Sequence, residues 1–596
     1  MAKFYIFLFF ILNSNVAMPS DQSDRIDPEI FDNISHELNI EKIENSIVFK
    51  KKGKPIIGDK WMIVTANPYA TVAGAEILES GGSAADAMVA AQSVLGLVEP
   101  ESSGLGGGSF LVWYDSYSQK ITTLDGRETA PENSITTQFQ SNDGKPIKFY
   151  EAVIGGLSVG TPGTPALMYE AQKKWGNKDW SSLFDYAIKL SETGFIVSKK
   201  LSSSIERDLK KLSKVENSKN YFLPGGEPLK YGKKVKNISY AKTLRRIANE
   251  GIDIFYDGLI AKDIVNTVQD FSSNPGFLNK NDLKNYQVIQ REPVCIKYKE
   301  YDICGMGPPS SGGVAVAQIL KILEKFDLKK LGKLNPVSWQ LIGDATRLAF
   351  ADRDLYLADS DFVNVPVAGL INEQYLRGRS DLIKKGIKTN NITAGSPLKD
   401  VAFNLANDHS IELESTTHIS IYDQYGNALS MTSSVENAFG SRLMTESGFL
   451  LNNQLTDFSF QHMSDEKLIA NRLEPGKRPR SSMAPTIVLK DSKPFIIIGS
   501  PGGSNIIGFV ANTIISILVW DADIQQAVSM PHAINRWGKY EIENSTSTSE
   551  LLKSLESMGY ETQLKNYFSG LNGIHIFENT IFGGSDPRRE GIAIGN

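Results

Sequence analysis

The spacing of apolar residues changes repeatedly along the chain between the period of a helix and that of a strand. Asn67 before Pro68 is typical of a helix start, and Ser83 with Asp86 forms a capping-box pattern. Because helices and strands interleave, we predict a mixed α and β fold with antiparallel hairpins in the last third. The predicted helices cover about 68–80, 83–97, 336–357 and a segment starting near 314, and the predicted strands cover 62–65, 110–114, 416–422, 428–435, 486–489 and 495–498.

The first twenty residues have the pattern of a secretory signal peptide. Lys3 precedes nine consecutive apolar residues, Phe4 to Leu12, and small and polar residues follow up to Ser20. A run of nine is too short to cross a bilayer, which needs about 20 residues, and it matches a removable signal. A buried N-terminal strand is the alternative. We therefore expect residues 1–20 to be a signal peptide and the protein to be secreted, with the periplasm as its compartment.

Two polar segments interrupt the apolar pattern. We expect residues 21–58 to form an extended N-terminal arm, because the segment is polar and shows no regular spacing. Residues 375–412 contain few apolar positions, and the polar run continues through 404–415. Such composition favours a solvent-facing linker.

The two cysteines of the chain lie in neighbouring strand-like runs. A hairpin centred between Lys299 and Glu300 would place Cys295 opposite Cys304. In an oxidising compartment this register would allow a cross-strand disulfide. Two buried free thiols are the alternative, because Lys-Glu is a poor two-residue turn.

Composition and motif absences exclude several classes of function. A chain of 596 residues can bury a large core, and its formal charge of −5 lacks the basic excess of nucleic-acid-binding domains. The sequence contains no HExxH or P-loop pattern, which argues against zincins and P-loop NTPases. The six histidines show no metal-ligand spacing. We therefore expect the chemistry to depend on Ser, Thr, Gly, Arg and carboxylate groups.

One predicted hairpin concentrates hydroxyl groups. Thr416 begins its first strand, a turn follows at 423–427, and pairing centred on Tyr425 would place Ser434 beside Thr416. Glu436 would share that face if the second strand continued. The alternative is a hairpin in which Thr and Ser serve only strand propensity.

Three further segments combine polar groups with turns. Gly499–Ser504 follows an apolar strand and precedes a helix, and successive N–H groups in that position can bind an anion. Arg478–Met483 contains the paired hydroxyls of Ser481 and Ser482. Asn452–Asp457 places amides and a carboxylate among apolar residues. Each segment alone is a weak signal.

Ordered motifs spread over residues 60–590 resemble the γ-glutamyltransferases, also called γ-glutamyltranspeptidases, of the N-terminal nucleophile (Ntn) hydrolases. The resemblance implies a four-layer αββα sandwich and a precursor that cuts itself between Ser415 and Thr416. A large subunit, 59–415, and a small catalytic subunit, 416–596, would then stay together as one globule over 59–596. The motifs are SGGSAADAMVAA (80–91), SSGLGGGSF (102–110), DGRETAP (125–131), VGTPG (159–163), GPPSSGG (307–313), ADRDLYLAD (351–359), TTHISI (416–421), GFLLNNQLTDFS (448–459), KRPRSSMAPTIV (477–488), GSPGGS (499–504) and SDPR (585–588).

The resemblance also implies a mechanism. Cleavage would free the α-amine of Thr416, which would act as the base for the Thr416 hydroxyl. The hydroxyl would attack a γ-glutamyl amide such as glutathione, and water or an amino acid or dipeptide would receive the group, without a metal or organic cofactor and without a nucleic-acid partner. The family's other site positions match Ser434 beside the nucleophile, Gly502 and Gly503 for the oxyanion, Arg127, Ser481 and Ser482 for the α-carboxylate, and Asp457, Asn453, Gln454 and Glu436 for the α-ammonium.

The chain departs from the family's pattern at three places. Ser434 stands where many members have Thr, which keeps the hydroxyl. Glu436 stands where many have Asn, which puts the preference for the substrate headgroup in question. The segment between Asp457 and Ser481 contains no Tyr, where some members carry a longer segment with an aromatic lid. This difference predicts a more open acceptor side and more hydrolysis.

Two other functions fit parts of this pattern. A cephalosporin acylase-type amidase shares the fold and the nucleophile, but its glutaryl substrate lacks the α-ammonium that Asp457, Glu436 and Gln454 would bind. An unprocessed family member could serve as a binding protein and would remain a single chain. Thr416 and the Gly502–Gly503 pair argue against that alternative, because a binding protein needs neither.

Overall fold

We analysed a computed structural model of the chain. It describes residues 40–398, 404–408, 410, 412–413, 415–545 and 548–596. The predicted signal peptide over 1–20 and residues 21–39 of the predicted arm lie outside the described residues. Within the described part, no helix is both long enough and apolar enough to cross a membrane.

Two seven-stranded sheets form the centre of the molecule, and all strand pairs within them are antiparallel. Sheet I consists, in spatial order, of Ile56–Gly58, Thr580–Ser585, Asn572–Phe577, Lys493–Gly499, Thr486–Lys490, Tyr301–Gly305 and Val294–Tyr298. Sheet II consists of Ile592–Gly595, Met62–Thr65, Thr416–Tyr422, Ala428–Ser434, Gly108–Asp115, Lys120–Gly126 and Ile289–Arg291. Both sheets combine strands from before and after residue 416, so neither sheet could form from one part alone.

Among the residues that the structure describes, three smaller sheets and many helices surround this centre. In the first, Lys467–Ile469 lies between Leu405–Ala406 and Met463–Ser464. In the second, Tyr540–Glu543 lies between Ala533–Ile534 and Thr562–Lys565. In the third, Phe195–Ile196 pairs with Lys234–Val235. The α-helices are Ile40–Lys51, Pro68–Glu79, Ala84–Val98, Phe149–Val153, Thr164–Trp175, Asp185–Thr193, Lys199–Leu212, Glu216–Phe222, Ile238–Glu250, Asp253–Tyr256, Leu259–Gln269, Lys280–Lys284, Gly312–Leu323, Leu328–Leu331, Pro336–Tyr356, Val367–Leu370, Glu373–Asp381, Ile506–Leu518, Ile524–Ser529 and Ser549–Ser557.

Three apolar clusters show how the layers are stacked. Val64 and Val112 of sheet II lie in one cluster with Ile497 of sheet I, so this cluster fills the space between the sheets. A second cluster joins sheet II to the alanine-rich helix Ala84–Val98. The third joins sheet I to helices that include Ile506–Leu518. The order helix, sheet, sheet, helix confirms the predicted αββα sandwich.

Local sequence signals explain where the first helices begin. The Asn67 side chain accepts a hydrogen bond from the Tyr69 N–H at 3.1 Å, which caps the helix that follows. Ser83 and Asp86 cap each other's backbone N–H groups, at 3.2 and 2.9 Å. Every residue of Ala84–Val98 is buried. The predicted caps are therefore confirmed.

The two predicted hairpin registers are also found. Thr416 pairs with Ser434 across the first hairpin. Cys295 pairs with Cys304 across the second, at the edge of sheet I, and the structure joins them as a disulfide. Lys299 at its turn has a positive φ of 53°, which accommodates the unfavourable Lys-Glu sequence.

The prediction of an extended arm is wrong for residues 40–58. These residues form the helix Ile40–Lys51 and the strand Ile56–Gly58, which pairs with Thr580–Ser585. Ile43 and Ile47, one helical turn apart, are buried against the core, while charged neighbours mask this apolar stripe in the sequence.

The prediction of a solvent-facing linker is also wrong at several positions. Part of the polar segment forms the helix Glu373–Asp381, in which Arg379 is buried. Further along, Asp408 and Ser415 are 1% and 3% exposed. Their burial is possible because their polar groups have partners inside the protein, as Asp408 has in Arg480 at 2.8 Å.

Candidate active site

The two sheets bring their polar strand ends together at one place. Thr416 is the first residue of its strand, and Ser434 is the last residue of the neighbouring antiparallel strand, so both lie at the same end of sheet II. The strand Lys493–Gly499 of sheet I leads into a short 3₁₀ turn, Gly503–Asn505, which also faces this end. The predicted glycine turn and hydroxyl hairpin therefore meet.

The Ser434 hydroxyl links Thr416 to the peptide bond that precedes it. Thr416 Oγ1 lies 3.3 Å from Ser434 Oγ and donates to it. Ser434 donates its own hydrogen to the Ser415 carbonyl oxygen at 2.8 Å and accepts from the Glu436 N–H at 2.8 Å. One hydroxyl thus contacts both the candidate nucleophile and the carbonyl of the predicted cleavage site.

Contacts on both sides hold the Ser415–Thr416 peptide. The Ser415 hydroxyl donates to the Glu101 carbonyl oxygen, and Arg589 Nη1 donates to the Thr416 carbonyl oxygen at 3.0 Å. Sequence reasoning did not single out Glu101 or Arg589. Arg589 directly follows the SDPR motif, but nothing in its local pattern indicates a contact 173 residues away.

A cavity next to Thr416 is almost filled by the chain itself. The remaining volume is about 20 Å³, room for about one water molecule. Leu413 donates its N–H to Glu436 Oε1 at 3.3 Å, and its carbonyl oxygen lies 2.6 Å from where a Cβ on Gly503 would be. The cavity is lined by Arg127, Glu412, Leu413, Thr416, Ser434, Glu436, Gln454, Asp457, Ser481, Ser482, Met483, Gly503 and Ile506.

One wall of this cavity is made of acceptors. Asp457 Oδ2 accepts from Arg127 Nη2 at 2.5 Å and from Gln454 Nε2 at 2.7 Å. Asp457 Oδ1 and Gln454 Oε1 are buried and have no hydrogen-bond partner among the described residues. Glu436 lies on the same wall. Unsatisfied buried acceptors next to carboxylates suit a ligand that donates several hydrogen bonds, such as an ammonium group.

Burial shapes the titration of these carboxyl groups. Burial raises the pKa of Asp457 to about 6, although the charge of Arg127 opposes the shift. Burial and then the charge of Asp457 raise the pKa of Glu436 well above its usual range. Two carboxyl groups in one dry wall resist carrying two negative charges at once.

Glu436 reaches the cavity in an unexpected way. In the structure the strand ends at Ser434, so a continuing strand does not place Glu436. Instead, Glu436 takes a left-handed backbone with φ of 77°, which is uncommon for a residue with a side chain. Asn453 lies behind Glu436 and donates a hydrogen bond to its carboxylate.

Arg127 is fixed by its neighbours. It donates from Nη2 to Asp457 and to the Arg480 carbonyl oxygen at 3.0 Å, and from Nε to the Pro479 carbonyl oxygen at 3.1 Å. Its Nη1 lies 3.7 Å from Glu128, whose pKa burial raises to about 8. Nη1 is therefore the Arg127 nitrogen left to meet a ligand.

The predicted site residues occupy three kinds of position. Gly502 has a φ of 140° and, like Asn453, lies outside the cavity lining. Cys295 and Cys304 lie in the edge hairpin of sheet I. The predicted residues that line the cavity are Thr416, Ser434, Gly503, Arg127, Glu436, Gln454, Asp457, Ser481 and Ser482.

Sequence reasoning missed three charged residues around the cavity. Arg353 and Arg480 both lie within motifs that carried the resemblance, but their sequence positions suggested no role. Glu412 belonged to the supposed linker and forms an ion pair with Arg353. Among the residues that the structure describes, no group of His, Cys, Asp and Glu side chains could hold a metal ion.

Comparisons with known proteins agree over most of the chain. The family model for gamma-glutamyltranspeptidase matches residues 70–596. The glutathione hydrolase proenzyme of Bacillus subtilis (strain 168) is 38% identical over 550 residues, which are 90% of this chain and 92% of that protein. The crystal structure of Helicobacter pylori gamma-glutamyltranspeptidase is 35% identical with a TM-score of 0.54, over 56% of this chain and 95% of that chain. The cephalosporin acylase structure from Bacillus halodurans has a TM-score of 0.80 at 23% identity, over 91% of this chain and 97% of that chain, a likeness of fold alone.

Proposed function

The chain belongs to the γ-glutamyltranspeptidase family, and from this membership we propose that it is a γ-glutamyl hydrolase and transferase. Its substrates are γ-glutamyl amides such as glutathione, and its acceptors are water, amino acids or dipeptides. The observation that carries the proposal is the position of Thr416. Its hydroxyl contacts Ser434 at 3.3 Å, beside a cavity with carboxylates on one wall and arginine and serine side chains on another.

The proposed maturation is self-cleavage of the Ser415–Thr416 peptide bond, beside the Ser434 hydroxyl. The Thr416 oxygen attacks the Ser415 carbonyl carbon, and the Ser434 hydroxyl, 2.8 Å from the carbonyl oxygen, stabilises the charge that develops there. The C–N bond breaks as the peptide nitrogen takes up the proton given up by the Thr416 hydroxyl and becomes the α-amine of Thr416. An ester between the Ser415 carbonyl carbon and Thr416 Oγ1 remains. Water hydrolyses this ester and leaves the subunits 59–415 and 416–596. Strands from both parts share each sheet, which keeps the cut protein in one piece.

Catalysis then uses the new N-terminus. An α-amine has a pKa of about 7.7–8.0, so at neutral pH a useful fraction can accept the Thr416 hydroxyl proton. The oxygen attacks the γ-carbonyl carbon of the donor, and the N–H groups of Gly502 and Gly503 serve as oxyanion donors. The leaving amine takes the proton, a γ-glutamyl ester remains on Thr416, and water or an acceptor amine resolves it.

The two walls of the cavity suit the two charged ends of a glutamyl group. The unsatisfied acceptors of Asp457 and Gln454, with Glu436, bind the α-ammonium. Arg127 Nη1 and the hydroxyls of Ser481 and Ser482 bind the α-carboxylate. A glutaryl group lacks the ammonium, so it would leave the acceptor wall without donors, which favours a γ-glutamyl enzyme over a glutaryl acylase.

We propose an exported location for the mature protein. The signal pattern of residues 1–20 supports export, with the periplasm as the expected compartment. The Cys295–Cys304 disulfide supports an oxidising compartment.

The decisive experiment compares the wild type with Thr416→Ala by denaturing gel and intact mass. We expect two fragments from the wild type, the smaller beginning at Thr416, and one uncut chain from the variant. Thr417→Val is the matched control, because the Thr417 hydroxyl is buried nearby in the same strand without a hydrogen-bond partner among the described residues. The control should be cut like the wild type. An uncut wild type would support the binding-protein alternative.

The cut enzyme is then given γ-glutamyl-4-nitroanilide and glutaryl-4-nitroanilide. Loss of a charge-assisted hydrogen bond costs about 1.5–3 kcal/mol, so we expect kcat/KM to be at least about tenfold lower for the glutaryl donor. Equal values for the two donors would contradict the assignment of the acceptor wall and favour the acylase.

A further inference from the structure

Two arginines at one end of the cavity have no part in the mechanism above. Arg353 and Arg480 are each 1% exposed. Arg353 donates from Nε to Ser311 Oγ at 2.9 Å and from Nη2 to Ser482 Oγ at 2.8 Å. Ser482 lines the cavity, so the Arg353 guanidinium reaches it through this hydroxyl.

The carboxylate of Glu412 occupies the space between these groups. It forms an ion pair with Arg353 Nη2 and lies 3.9 Å from Arg480 Nε. The Glu412 side chain is 6% exposed. Burial alone would raise its pKa, but the charges of Arg353 and Arg480 and a hydrogen bond to Ser482 hold it below its usual range. The site therefore holds an ionised carboxylate inside the protein.

The place of Glu412 in the sequence makes it a partner that Arg353 and Arg480 can lose. It lies three residues before Ser415, on the segment whose end the proposed cut would release. Asp408 holds Arg480 Nη2 at 2.8 Å, and Asp354 holds Arg353 Nη1 at 3.1 Å, so each arginine keeps one acidic partner when Glu412 leaves. Among the described residues, Arg353 Nη2 would then keep only the Ser482 hydroxyl as an acceptor.

Arg480 Nε would lose the carboxylate that lies near it. Among the described residues it already has no hydrogen-bond partner, and Glu412 is the nearby carboxylate at 3.9 Å. A buried guanidinium donor without an acceptor is unfavourable. If Glu412 left, Arg353 Nη2 and Arg480 Nε would both lose this carboxylate. The space that one carboxylate had occupied would then adjoin a donor from each arginine.

We propose that Arg353, Arg480 and Ser482 form a carboxylate-binding site in the cut enzyme, and that a carboxylate of the reactants takes the place of Glu412. This inference rests on the proposed function, because it assumes that the cut releases Glu412. The carboxylate comes either from the glutamyl group itself, which also meets Ser482, or from the leaving group. In both cases the site selects reactants with a negative charge at this position.

The first test measures kcat/KM for two donors that differ in one carboxylate. The donors are γ-glutamyl-4-nitroanilide and γ-glutamyl-3-carboxy-4-nitroanilide, and the enzymes are wild type, Arg480→Leu and Arg480→Lys. We expect the Leu variant to lose about tenfold or more, the value of a charge-assisted hydrogen bond, and the Lys variant to lose less. A loss on both donors assigns the site to the glutamyl carboxylate, and a loss on the second donor alone assigns it to the leaving group.

Unchanged kcat/KM on both donors in Arg480→Leu would overturn the inference. A wild type that releases nitroaniline from neither donor would instead overturn the proposed function, so the two failures are distinguishable. A gel of each variant shows first whether it has been cut, which reports folding and maturation separately from donor binding.

The second test does not depend on an arginine variant that folds. Thr416→Ala keeps the chain uncut, and adding Glu412→Ala removes the built-in carboxylate. We expect acetate to raise the Tm of the double variant progressively with concentration and to leave Thr416→Ala unchanged, since binding to the folded state alone stabilises it. Acetamide, the neutral control of similar shape, should have no effect on either chain. A double variant that responds to acetate no more than to acetamide would overturn the inference.

Discussion

The two ends of the cavity hold charge in opposite ways. At the acceptor wall, burial raises the pKa of Asp457 although the charge of Arg127 opposes the shift, and burial and then the charge of Asp457 raise the pKa of Glu436. At the arginine end, Glu412 is also buried, but the pKa of its carboxyl is lowered because Arg353 and Arg480 adjoin it. The comparison shows that charge partners, and not burial alone, decide which carboxyl stays ionised.

The two ends also differ in how far the chain itself supplies their hydrogen-bond and charge partners. At the acceptor wall, Asp457 Oδ1 and Gln454 Oε1 have no hydrogen-bond donor among the residues that the structure describes, so a ligand with donors can bind them. The arginine end is completed by the chain itself through Glu412. In the uncut chain, Glu412 thus satisfies the arginine end, and Leu413 supplies one donor to Glu436 at the acceptor wall.

The largest expected effect comes from removing the charge at the acceptor wall. Asp457→Asn breaks the ion pair with Arg127 at 2.5 Å and removes a charged partner of the donor's ammonium. Two charge-assisted contacts are lost, so we expect kcat/KM for γ-glutamyl-4-nitroanilide to fall by about 100-fold or more.

The matched control is Asp491→Asn, at an exposed hairpin turn, which should retain wild-type kinetics. Both variants are first checked for cleavage on a gel, since breaking a buried ion pair also destabilises the fold. If cut Asp457→Asn has the wild-type kcat/KM, the acceptor wall does not bind the donor.

How much of this cavity the sequence could reveal differs between its parts. The pairing of Thr416 with Ser434 follows from hairpin symmetry, because side chains across a short turn are local neighbours. The same reasoning located Cys295 opposite Cys304. Registers of this kind depend on a few adjacent residues, so they were predictable without knowing the rest of the fold.

The arginine end was not predictable in this way. Glu412 meets Arg353 across 59 residues, and Ser482 meets Arg353 across 129. The polarity of the 404–415 segment suggested solvent exposure, because composition cannot show that buried arginines elsewhere supply its partners. Likewise Arg127 and Asp457 are 330 residues apart, and only the resemblance brought them together.

A smaller effect should separate the two ends by their pH dependence. In the uncut Thr416→Ala chain, adding Glu412→Gln leaves Arg353 and Arg480 without this charge, which we expect to lower stability by about 1–3 kcal/mol at neutral pH. Since the folded-state pKa of Glu412 is lowered, its contribution is present above its ordinary pKa and is lost as pH falls through the lowered value.

Thermal unfolding of the two chains at pH 7 and at pH 3 measures this contribution. The gap in Tm between them should be widest at pH 7 and should narrow in acid. Glu227→Gln, a change at an exposed position, is the control and should open no gap at either pH. A gap that stays constant with pH would show that the Glu412 charge does not stabilise the uncut chain.

The smallest effect concerns Glu436, and it sharpens the comparison within the acceptor wall. Burial and then the charge of Asp457 raise the pKa of Glu436 well above its usual range, which favours the neutral carboxyl, and a glutamine side chain resembles that neutral form. We therefore expect Glu436→Gln to change KM for γ-glutamyl-4-nitroanilide by no more than about threefold at pH 7, a free-energy change smaller than that of one ordinary hydrogen bond.

As pH rises, the wild-type carboxyl ionises and can pair with the donor's ammonium, whereas the amide of the variant cannot. The ratio of KM in the variant to KM in the wild type should thus increase as the pH is raised above 7. A ratio that is already large at pH 7 and stays flat would mean that Glu436 is ionised in the cut enzyme, and that release of the segment before Thr416 changes the charge of this wall.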